Sequence, residues 1–487
     1  MPGKPNVLFV MTDQQRLDTI AALGNSIIET PNLDRLVRRG TSFRNAYSTC
    51  PVCVPARSTI RSGCEPLRTG LFQNAHRDAA DIERDCGPYL ARTMAARGYR
   101  TFGIGKFHSF PWDADLGFEY QRHSEELYAD ADQRHRDSFA AFIREKHPAF
   151  DYVEGLMGER TEMYYIPQVR PMPAEIAVEA WAAREAVGQL QVEDDRPWFG
   201  FVSFIGPHPP FAPPIPFNRM YDPDRMPDPV VGELAVDHLD EMIPFMNYAV
   251  YAENIDSAHA RVLKARYYDT ISYIDQCIGT ILDAVEARPD ADETVICFFS
   301  DHGDHLGDHH AWQKESFFES SCNVPFLLSW PGRIAEGAVS EELVCLTDLF
   351  GIATGASGVA ETRDGIDVLS MLAGDSPGRA ALAGYHADPG TRYFKTMVRQ
   401  GPWKYIFLAN GDRELLFNVD DDPQELAPVD RPDVAAELRT IAVARLTEAG
   451  CGAALSGGDL RGFEFEARPL RRIRQFDRSR GILSFTR

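Results

Sequence analysis

The stretch that decides the fold is Asn6-Val-Leu-Phe-Val-Met-Thr, an apolar run that is followed at once by Asp13 and Gln14. Such a continuous apolar run predicts a strand that is buried on both faces, as in a parallel sheet covered by helices. Longer helical patterns alternate with runs of this kind, most clearly at residues 259–287. The sequence therefore predicts an α/β fold with a large, mostly parallel sheet flanked by helices, whose strands lie at residues 6–12, 100–105, 198–204, 294–300 and 324–330.

The composition of the chain excludes several classes of protein. The chain has 487 residues, of which 44% are hydrophobic and 25% charged, as in a globular rather than a disordered or fibrous protein. Its formal charge of −22 argues against nucleic acid or an anionic membrane as a partner. The first apolar run is too short for a signal peptide or a membrane span, so we expect a cytoplasmic protein. Nine scattered cysteines, an odd number, argue against a disulfide framework.

Changes of pattern along the chain indicate three parts. Residues 1–375 have the α/β pattern, which a charged helical insert at 113–190 and a Pro-rich segment at 206–229 interrupt. Three short apolar runs between residues 396 and 418 and a helical pattern at 432–449 predict a smaller α+β domain over 376–460, with an antiparallel meander. Residues 461–487 hold eight Arg against three acidic residues. This tail is either solvated or docks on an acidic neighbouring subunit.

Acidic and imidazole side chains directly follow two of the predicted strands. Asp13 and Gln14 come after the first strand, and Asp301 and His302 come after the strand at 294–300. Ligands bind beyond the carboxyl ends of the strands in such sheets. Two carboxylates, a neutral imidazole and an amide oxygen suit one hard divalent cation, Ca²⁺, Mg²⁺ or Mn²⁺, better than Zn²⁺. The sequence therefore predicts a metal site at this edge.

The segment that begins at Asp301 reads Asp-His-Gly-Asp-His-Leu-Gly-Asp-His-His and has the composition of a multi-metal cluster. Its two glycines, however, predict a loop that leads away from the strand end. We therefore expect the later side chains to be ordinary loop residues or to support the metal ligands, rather than to bind metal; they are Asp304, His305, Asp308, His309 and His310.

A second group of residues is Cys53-Val-Pro-Ala-Arg57. Alone, it also fits a buried thiol ahead of a Pro-started helix. Together with further blocks in order, it resembles the type I (formylglycine-dependent) sulfatases of the alkaline phosphatase superfamily, a group that includes the phosphonate monoester hydrolases. The resemblance spans about residues 5–430, and its blocks are Asn6 to Arg16, Thr30-Pro-Asn-Leu-Asp-Arg-Leu, Gly105-Lys-Phe-His, Pro207-His-Pro-Pro-Phe, Ser300-Asp-His-Gly-Asp, Val324-Pro-Phe and Trp330-Pro-Gly.

The resemblance implies a nucleophile and a cofactor. In this family a maturation enzyme oxidises the cysteine, here Cys53, to Cα-formylglycine (3-oxoalanine). One hydroxyl of its hydrated diol, deprotonated and bound to a divalent cation (Ca²⁺ or Mn²⁺), attacks the sulfur of the ester. A covalent sulfo-enzyme intermediate results, and loss of the second hydroxyl proton expels sulfate without attack by water. The implied metal ligands are Asp13, Gln14, residue 53, Asp301 and His302.

The same resemblance implies roles for cationic and imidazole side chains. Arg57 holds the diol, Lys106 and Lys314 bridge to the sulfate oxygens, His108 assists loss of the diol proton, and His208 protonates or stabilises the leaving oxygen. Fixed cations in a dry pocket stabilise the charge that spreads over the transferring group, and histidine has a pKa suited to both proton transfers. We therefore expect hydrolysis of aryl or alkyl sulfate monoesters, and the family also implies a homo-oligomer, dimer or tetramer.

Three departures from the family pattern keep alternatives open. Gln14 and His302 stand where many sulfatases have Asp and Asn, a variant that is similar to choline sulfatases, many bacterial sulfatases and phosphonate monoester hydrolases. Sulfate esters and phosphonate monoesters or phosphodiesters therefore both remain possible substrates, as do Ca²⁺ and Mn²⁺ as the metal. Phe107 replaces the usual tryptophan, which changes packing. The run Thr59-Ile-Arg-Ser-Gly replaces a common Leu-Leu-Thr-Gly, which weakens maturation if the maturation enzyme reads that far.

A third hypothesis is a binding protein that has kept the fold and lost the chemistry. A damaged motif is the feature expected of such a protein. None of the proposed catalytic positions in this sequence holds an inert residue. We therefore favour an enzyme.

Overall fold

The computed structural model describes residues 4–125, 131–151, 164–232 and 239–472. Its strands are β1 (Asn6–Asp13), β2 (Thr41–Phe43), β3 (Ala46–Tyr47), β4 (Arg100–Gly105), β5 (Tyr120–His123), β6 (Trp198–Pro207), β7 (Thr294–Ser300), β8 (Phe326–Ser329), β9 (Ala338–Ser340), β10 (Val344–Cys345), β11 (Leu382–His386), β12 (Lys395–Gln400), β13 (Trp403–Leu408), β14 (Arg413–Asn418), β15 (Leu455–Ser456) and β16 (Asp459–Leu460).

The α-helices of the same residues occupy the connections between these strands. They are α1 (Pro31–Arg39), α2 (Cys53–Ser62), α3 (Pro66–Thr69), α4 (Ala79–Cys86), α5 (Leu90–Ala96), α6 (Ala131–Arg136), α7 (Ser138–Lys146), α8 (Val178–Leu190), α9 (Met242–Ala249), α10 (Ser257–Glu286), α11 (Glu319–Cys322), α12 (Asp348–Ala356), α13 (Val368–Leu372) and α14 (Pro432–Glu448).

The central sheet has eight strands in the order β5-β4-β6-β1-β7-β8-β2-β9. The strand β1 lies between β6 and β7 and is parallel to both, and β4 and β5 continue the parallel part. On the other side β8 runs antiparallel to β7 and to β2. The prediction of a mostly parallel sheet flanked by helices is therefore confirmed.

Side chains alternate between the two faces of β1, and each face has its own core. Val7, Phe9 and Met11 pack under α2, α5 and α12, and Phe9 makes edge-to-face contacts with rings of β6 and β7 at centroid distances of 5.5 and 5.7 Å. Leu8 and Val10 pack against α8 and α10 on the opposite face. All eight residues of β1 are buried, as its continuous apolar run predicts.

Several sequence predictions needed correction. The insert predicted to be helical at 113–190, of which 126–130 and 152–163 lie outside the described residues, contains helices and also contributes the edge strand β5. The strand expected at 324–330 is shorter, and that at 198–204 extends to Pro207. The helix expected at 259–287 begins at Ser257, because the carboxylate of Asp256 caps it by accepting a hydrogen bond from the backbone N–H of His259.

The C-terminal part contains the predicted antiparallel meander. Strands β11 to β14 pair in sequence order, and α14 packs on them. The backbone N–H of Tyr385 on β11 donates to the carbonyl oxygen of Thr49 at 2.8 Å, so this sheet contacts the segment that precedes Cys53. The domain boundaries at residues 375 and 460 stay predictions.

The proposed tail lies largely outside the described residues, since its last 15 residues, 473–487, are among those that the structure leaves out. The part that is described folds back on its own chain: the guanidinium of Arg472 lies over the rings of Tyr248 and Tyr251 and pairs with Glu253. Among the helices of the described ranges, none combines the length and the apolar character that crossing a membrane needs.

Candidate active site

The acidic residues of the site lie at the carboxyl ends of the two neighbouring strands β1 and β7. The parallel register pairs Thr12 with Ser300, which brings the next residues, Asp13 and Asp301, side by side. The backbone N–H of Gln14 donates to Asp301 Oδ1 at 3.1 Å. Both carboxylates are fully buried, as expected only for groups with charged or metal partners.

Cys53 is the first residue of α2, after Val52 in an extended N-cap conformation. Its Sγ lies 3.2 Å from His302 Nε2 and 3.9 Å from Asp13 Oδ1. Asp13, Cys53, Asp301 and His302 each offer one ligand atom within 4.8 Å of the others, and all four residues are buried. Four of the five predicted metal ligands therefore meet at one point.

Arg57 lies one helical turn after Cys53 and connects the strands to α2. Its guanidinium donates to Asp301 Oδ2 from Nε at 2.9 Å and to Asp13 Oδ2 from Nη2 at 2.8 Å. Nη1 donates to the carbonyl oxygen of Lys106 and to Ser203 Oγ. The planar guanidinium thus fixes the two carboxylates relative to each other, a task to which the compact ammonium group of a lysine is poorly suited.

Two lysines reach the same site from different loops. Lys106 follows Gly105, whose φ of 107° and closeness to β6 exclude a side chain, because a Cβ there would lie 1.9 Å from the carbonyl oxygen of Ser203. Lys106 Nζ lies 2.7 Å from Asp13 Oδ2. Lys314 Nζ donates to Gln14 Oε1 at 2.6 Å. The amide oxygen of Gln14 therefore accepts from a lysine here, and its role as a metal ligand stays a prediction.

The imidazole of His302 is held in the form that binds metals. Its Nδ1 lies 3.0 Å from the carbonyl oxygen of Gly303, so Nδ1 carries the proton and the lone pair of Nε2 faces the other three groups. Burial lowers the pKa of His302 to about 4, which keeps the ring neutral at pH 7.

Opposing effects act on Asp13 and Cys53. Burial raises the pKa of Asp13, but the positive charges of Lys106 and Arg57 outweigh it, so this pKa lies well below its usual range. Burial, with the nearby charge of Asp13, raises the pKa of the Cys53 thiol to about 12. The unmodified side chain is therefore a neutral thiol at pH 7, a weak nucleophile.

The two residues predicted to transfer protons are His208 and His108. His208 is buried, its Nδ1 lies 2.7 Å from the carbonyl oxygen of Pro209, and its charge contributes to the low pKa of Asp13. His108 is half-buried, and its backbone N–H donates to Glu125 Oε1 at 3.1 Å. The structure thus places His208 near the carboxylates and anchors the loop of His108 through a buried acid.

Some residues that shape the site had no recognisable signal in the sequence. Glu125 accepts the backbone N–H groups of Phe107 and His108, and despite the opposing effect of burial, His123 and His108 lower its pKa to about 2. Ser203 on β6 holds Arg57. Glu125 and Ser203 are single polar residues that belong to no motif or periodic pattern, so they can be identified only from their contacts in the folded structure.

Of the five later residues in the loop after His302, Asp304 contacts a predicted metal ligand. Asp304 Oδ2 accepts from Gln14 Nε2 at 2.6 Å and from the hydroxyl of Tyr165 at 2.8 Å. His305 lies between the hydroxyls of Ser316 and Ser320. The other three residues lie away from the four-residue group: Asp308 pairs with Arg16, His309 stacks on Phe318, and the carbonyl oxygen of His310 accepts from Asn247.

Comparison with known proteins identifies relatives of this chain. A family model described as Sulfatase matches residues 5–359, a range that includes every site residue named above. The chain is 30% identical over 454 residues to a choline-sulfatase of Rhizobium meliloti (strain 1021), covering 89% of this chain and 85% of that protein. It is 27% identical over 452 residues to an arylsulfatase of Clostridium perfringens (strain 13 / Type A), covering 87% and 89%.

The fold also resembles solved structures. It matches the crystal structure of the phosphonate monoester hydrolase of Agrobacterium radiobacter with a TM-score of 0.76 and 24% identity, covering 92% of this chain and 96% of that one. At that identity the likeness shows the fold alone. The match of the family model and the relatives named as sulfatases confirm the resemblance seen in the motifs. The chain therefore belongs to the sulfatase family, a family of sulfuric ester hydrolases within the alkaline phosphatase superfamily.

Proposed function

We propose that the protein hydrolyses aryl or alkyl sulfate monoesters with a formylglycine at position 53 and one divalent cation, Ca²⁺ or Mn²⁺. The observation that carries this proposal is the buried group of Asp13, Cys53, Asp301 and His302, at the start of a helix. A guanidinium and an ammonium group bind the same carboxylates, so the nucleophile, the metal ligands and the cations for an anionic substrate converge at one point.

The donor set fits a hard divalent cation. Asp13, Asp301 and the neutral His302 would hold it, with Gln14 through its amide oxygen, which matches the preference of Ca²⁺ and Mn²⁺ for oxygen and imidazole. A bound cation would supply positive charge that favours the deprotonated form of the nucleophile. The residues around it need no rearrangement to provide two carboxylate oxygens and a nitrogen lone pair, since Arg57 and Gly303 already orient them.

Conversion of Cys53 fits its surroundings better than a reactive thiol does. A thiol with a pKa of about 12 attacks slowly at pH 7, whereas a formylglycine would supply a hydrated aldehyde as the nucleophile. Position 53 is the first residue of α2, where the helix dipole favours a negative oxygen. Four groups other than residue 53 bind the guanidinium of Arg57, so it should keep its position when Cys53 is converted. They are the carboxylates of Asp13 and Asp301, the hydroxyl of Ser203 and the carbonyl oxygen of Lys106.

The remaining groups act on the substrate and on protons. Lys106 and Lys314, held by Asp13 and Gln14, present ammonium groups to the sulfate oxygens, where charge increases in the transition state. His208 has its Nδ1 proton fixed toward the carbonyl oxygen of Pro209, so its Nε2 is the atom that exchanges a proton with the leaving oxygen. His108 has the remaining proton transfer, in which it accepts the proton that the formylglycine diol loses.

A mass measurement combined with an activity assay tests this proposal. We expect the tryptic peptide that contains residue 53 to have the formylglycine mass when the protein is produced with a formylglycine-generating enzyme, and activity on an aryl sulfate to scale with the converted fraction. Cys53→Ala, which cannot be converted, should be inactive. Full activity in a preparation whose residue 53 is an unmodified thiol would overturn the proposal.

Hydrolysis of phosphonate monoesters or phosphodiesters is the second candidate. Gln14, a neutral amide where many sulfatases have a carboxylate, makes the site less negative, which suits either tetrahedral anion equally. The ratio of kcat/KM for an aryl sulfate and an aryl phosphonate monoester on one preparation decides between them. A phosphonate preference well above about tenfold, roughly 1.4 kcal/mol, would reverse our choice.

A further inference from the structure

Lys314 is presented by a turn with unfavourable backbone conformations on both sides. Gln313 has a φ of 73° and Glu315 a φ of 77°, values that a residue with a side chain adopts at a cost of about 1 kcal/mol or more each. Such conformations persist only where surrounding contacts fix them. The position of the Lys314 ammonium therefore depends on whatever holds residues 313–315.

Contacts from the catalytic part fix most of this turn. The backbone N–H of Gln313 donates to the hydroxyl of Tyr165 at 2.7 Å, and its carbonyl oxygen accepts from the N–H of His305 at 2.8 Å. The N–H of Glu315 donates to the carbonyl oxygen of Pro51 at 3.2 Å. Both ends of the turn are thus tied to residues near the four-residue group.

One further contact comes from the C-terminal sheet. The ammonium of Lys395, on β12, donates to the carbonyl oxygen of Glu315 and pairs with the carboxylate of Asp240. Lys395 is only 2% exposed, so both partners are needed to offset the loss of its hydration. The ammonium group of Lys395 is therefore strongly restrained, because moving it away from these partners would leave a buried charge unpaired.

We propose that Lys395 is a positioning residue for Lys314: by binding the carbonyl oxygen of Glu315, it holds the strained turn that directs Lys314 into the active site. This inference rests on the proposed role of Lys314. It makes the C-terminal sheet part of the support of the active site rather than an attached module. Lys395 itself touches no reacting atom.

A double-mutant cycle tests the inference on the full-length protein. Lys395→Met should lower kcat/KM for an aryl sulfate by about tenfold to a hundredfold, because a displacement of about 1 Å in a catalytic group has effects of this size. In the Lys314→Ala background the same substitution should have little further effect, since the group that it positions is gone. Lys395→Arg, which keeps a cation with several donors, should recover part of the loss.

Lys404 supplies a matched control. It lies on the neighbouring strand β13, is fully buried, and pairs with Glu319 and Glu425 rather than with the 313–315 turn. Lys404→Met also removes a buried ammonium from the same sheet, so it reports the effect of general destabilisation. We expect its effect on kcat/KM to be the same factor in both backgrounds.

The outcomes separate this inference from the proposed function. If Lys314→Ala retains wild-type activity, the proposed role of Lys314 in catalysis is wrong, and the positioning role of Lys395 is wrong with it. If Lys314→Ala is impaired but Lys395→Met changes kcat/KM by the same factor with and without Lys314, the positioning role is wrong. Should Lys395→Met not fold, the same cycle on Lys395→Gln, which keeps an N–H donor on a shorter side chain, decides by the same criterion.

Discussion

The substitution Arg57→Met tests how the buried carboxylates of the active site are stabilised. It keeps most of the volume of the side chain and removes the guanidinium that bridges Asp13 and Asp301. Lys106 still serves Asp13, so Asp301 is the carboxylate that loses its cation. Removing one partner of a buried ion pair costs about 3–5 kcal/mol, which is our expected loss in free energy of unfolding for the metal-free protein.

Arg61→Met is the matched control for this measurement. Arg61 lies one turn further along the same helix and is also largely buried, but its guanidinium donates to the carbonyl oxygen of Phe107 and lies over the ring of Tyr89. Loss of a hydrogen bond from a charged group costs about 1.5–3 kcal/mol. We therefore expect Arg57→Met to be the more destabilising of the two by about 2 kcal/mol.

The difference should depend on pH. The pKa of Asp13 is lowered in the folded protein, so its ionisation contributes stability that is present at neutral pH and is lost as the pH falls through the folded pKa. Without Arg57, less positive charge opposes the effect of burial, so the pKa of Asp13 rises. The deficit of Arg57→Met relative to wild type should therefore be constant above the pKa that Asp13 has in the variant, and it should shrink as the pH falls from that value toward the lowered pKa of Asp13 in the wild type.

Urea unfolding in the presence of EDTA, at pH 7 and at steps down to about pH 3, measures these quantities. Added Ca²⁺ or Mn²⁺ should stabilise Arg57→Met more than wild type, because the cation replaces part of the missing positive charge. An Arg57→Met protein that is no less stable than Arg61→Met at pH 7 would refute the reasoning, and so would a deficit that does not shrink at the acidic end of this series.

Three further results are expected. Chelation of the wild-type protein should lower its thermal midpoint, and Ca²⁺ or Mn²⁺ at about a hundred times its Kd should restore about 2.7 kcal/mol, measured by calorimetry. In protein produced without the maturation enzyme, Cys53, buried with a pKa of about 12, should react with iodoacetamide at pH 8 more slowly than the half-buried Cys451, as peptide mapping would show. Burial raises the pKa of Glu65 to about 7, so stability falls as the pH rises from the unfolded pKa of about 4.3 toward 7 and levels off above it. Glu65→Gln should therefore be more stable than wild type by about 2 kcal/mol at pH 8, with most of this difference lost at pH 5.

The central strands could be predicted from the sequence because their signal is local. Continuous apolar runs identify β1 and β7 in this chain, and Asp13 and Asp301 lie at their carboxyl ends. The strands β2, β5 and β9 have three or four residues each, and Tyr120-Gln-Arg-His has no apolar pattern. Their place depends on neighbours distant in the sequence, as does the antiparallel direction of β8.

The candidate site was only partly accessible from the sequence. Asp13, Asp301 and His302 follow from strand ends, whereas Cys53 and Arg57 came from a family motif rather than from any physical pattern. Ser203 meets Arg57 across 146 positions of sequence, and Asp304 meets Gln14 across 290. Such single polar contacts leave no periodic trace, because one serine or aspartate in a loop is compatible with many structures.

The charge of the site explains how an acidic protein can act on an anionic ester. The net charge of −22 repels such a substrate at long range, but salt screens this repulsion beyond about 8 Å at physiological ionic strength. Around position 53, Arg57 and Lys106 pair with the two carboxylates Asp13 and Asp301, and a third cation, Lys314, donates to the amide oxygen of Gln14. The excess of positive charge is buried, where interactions are stronger than in water, and a bound divalent cation would increase it. Recognition of the anion must therefore be a short-range property of these side chains, and it does not depend on the surface.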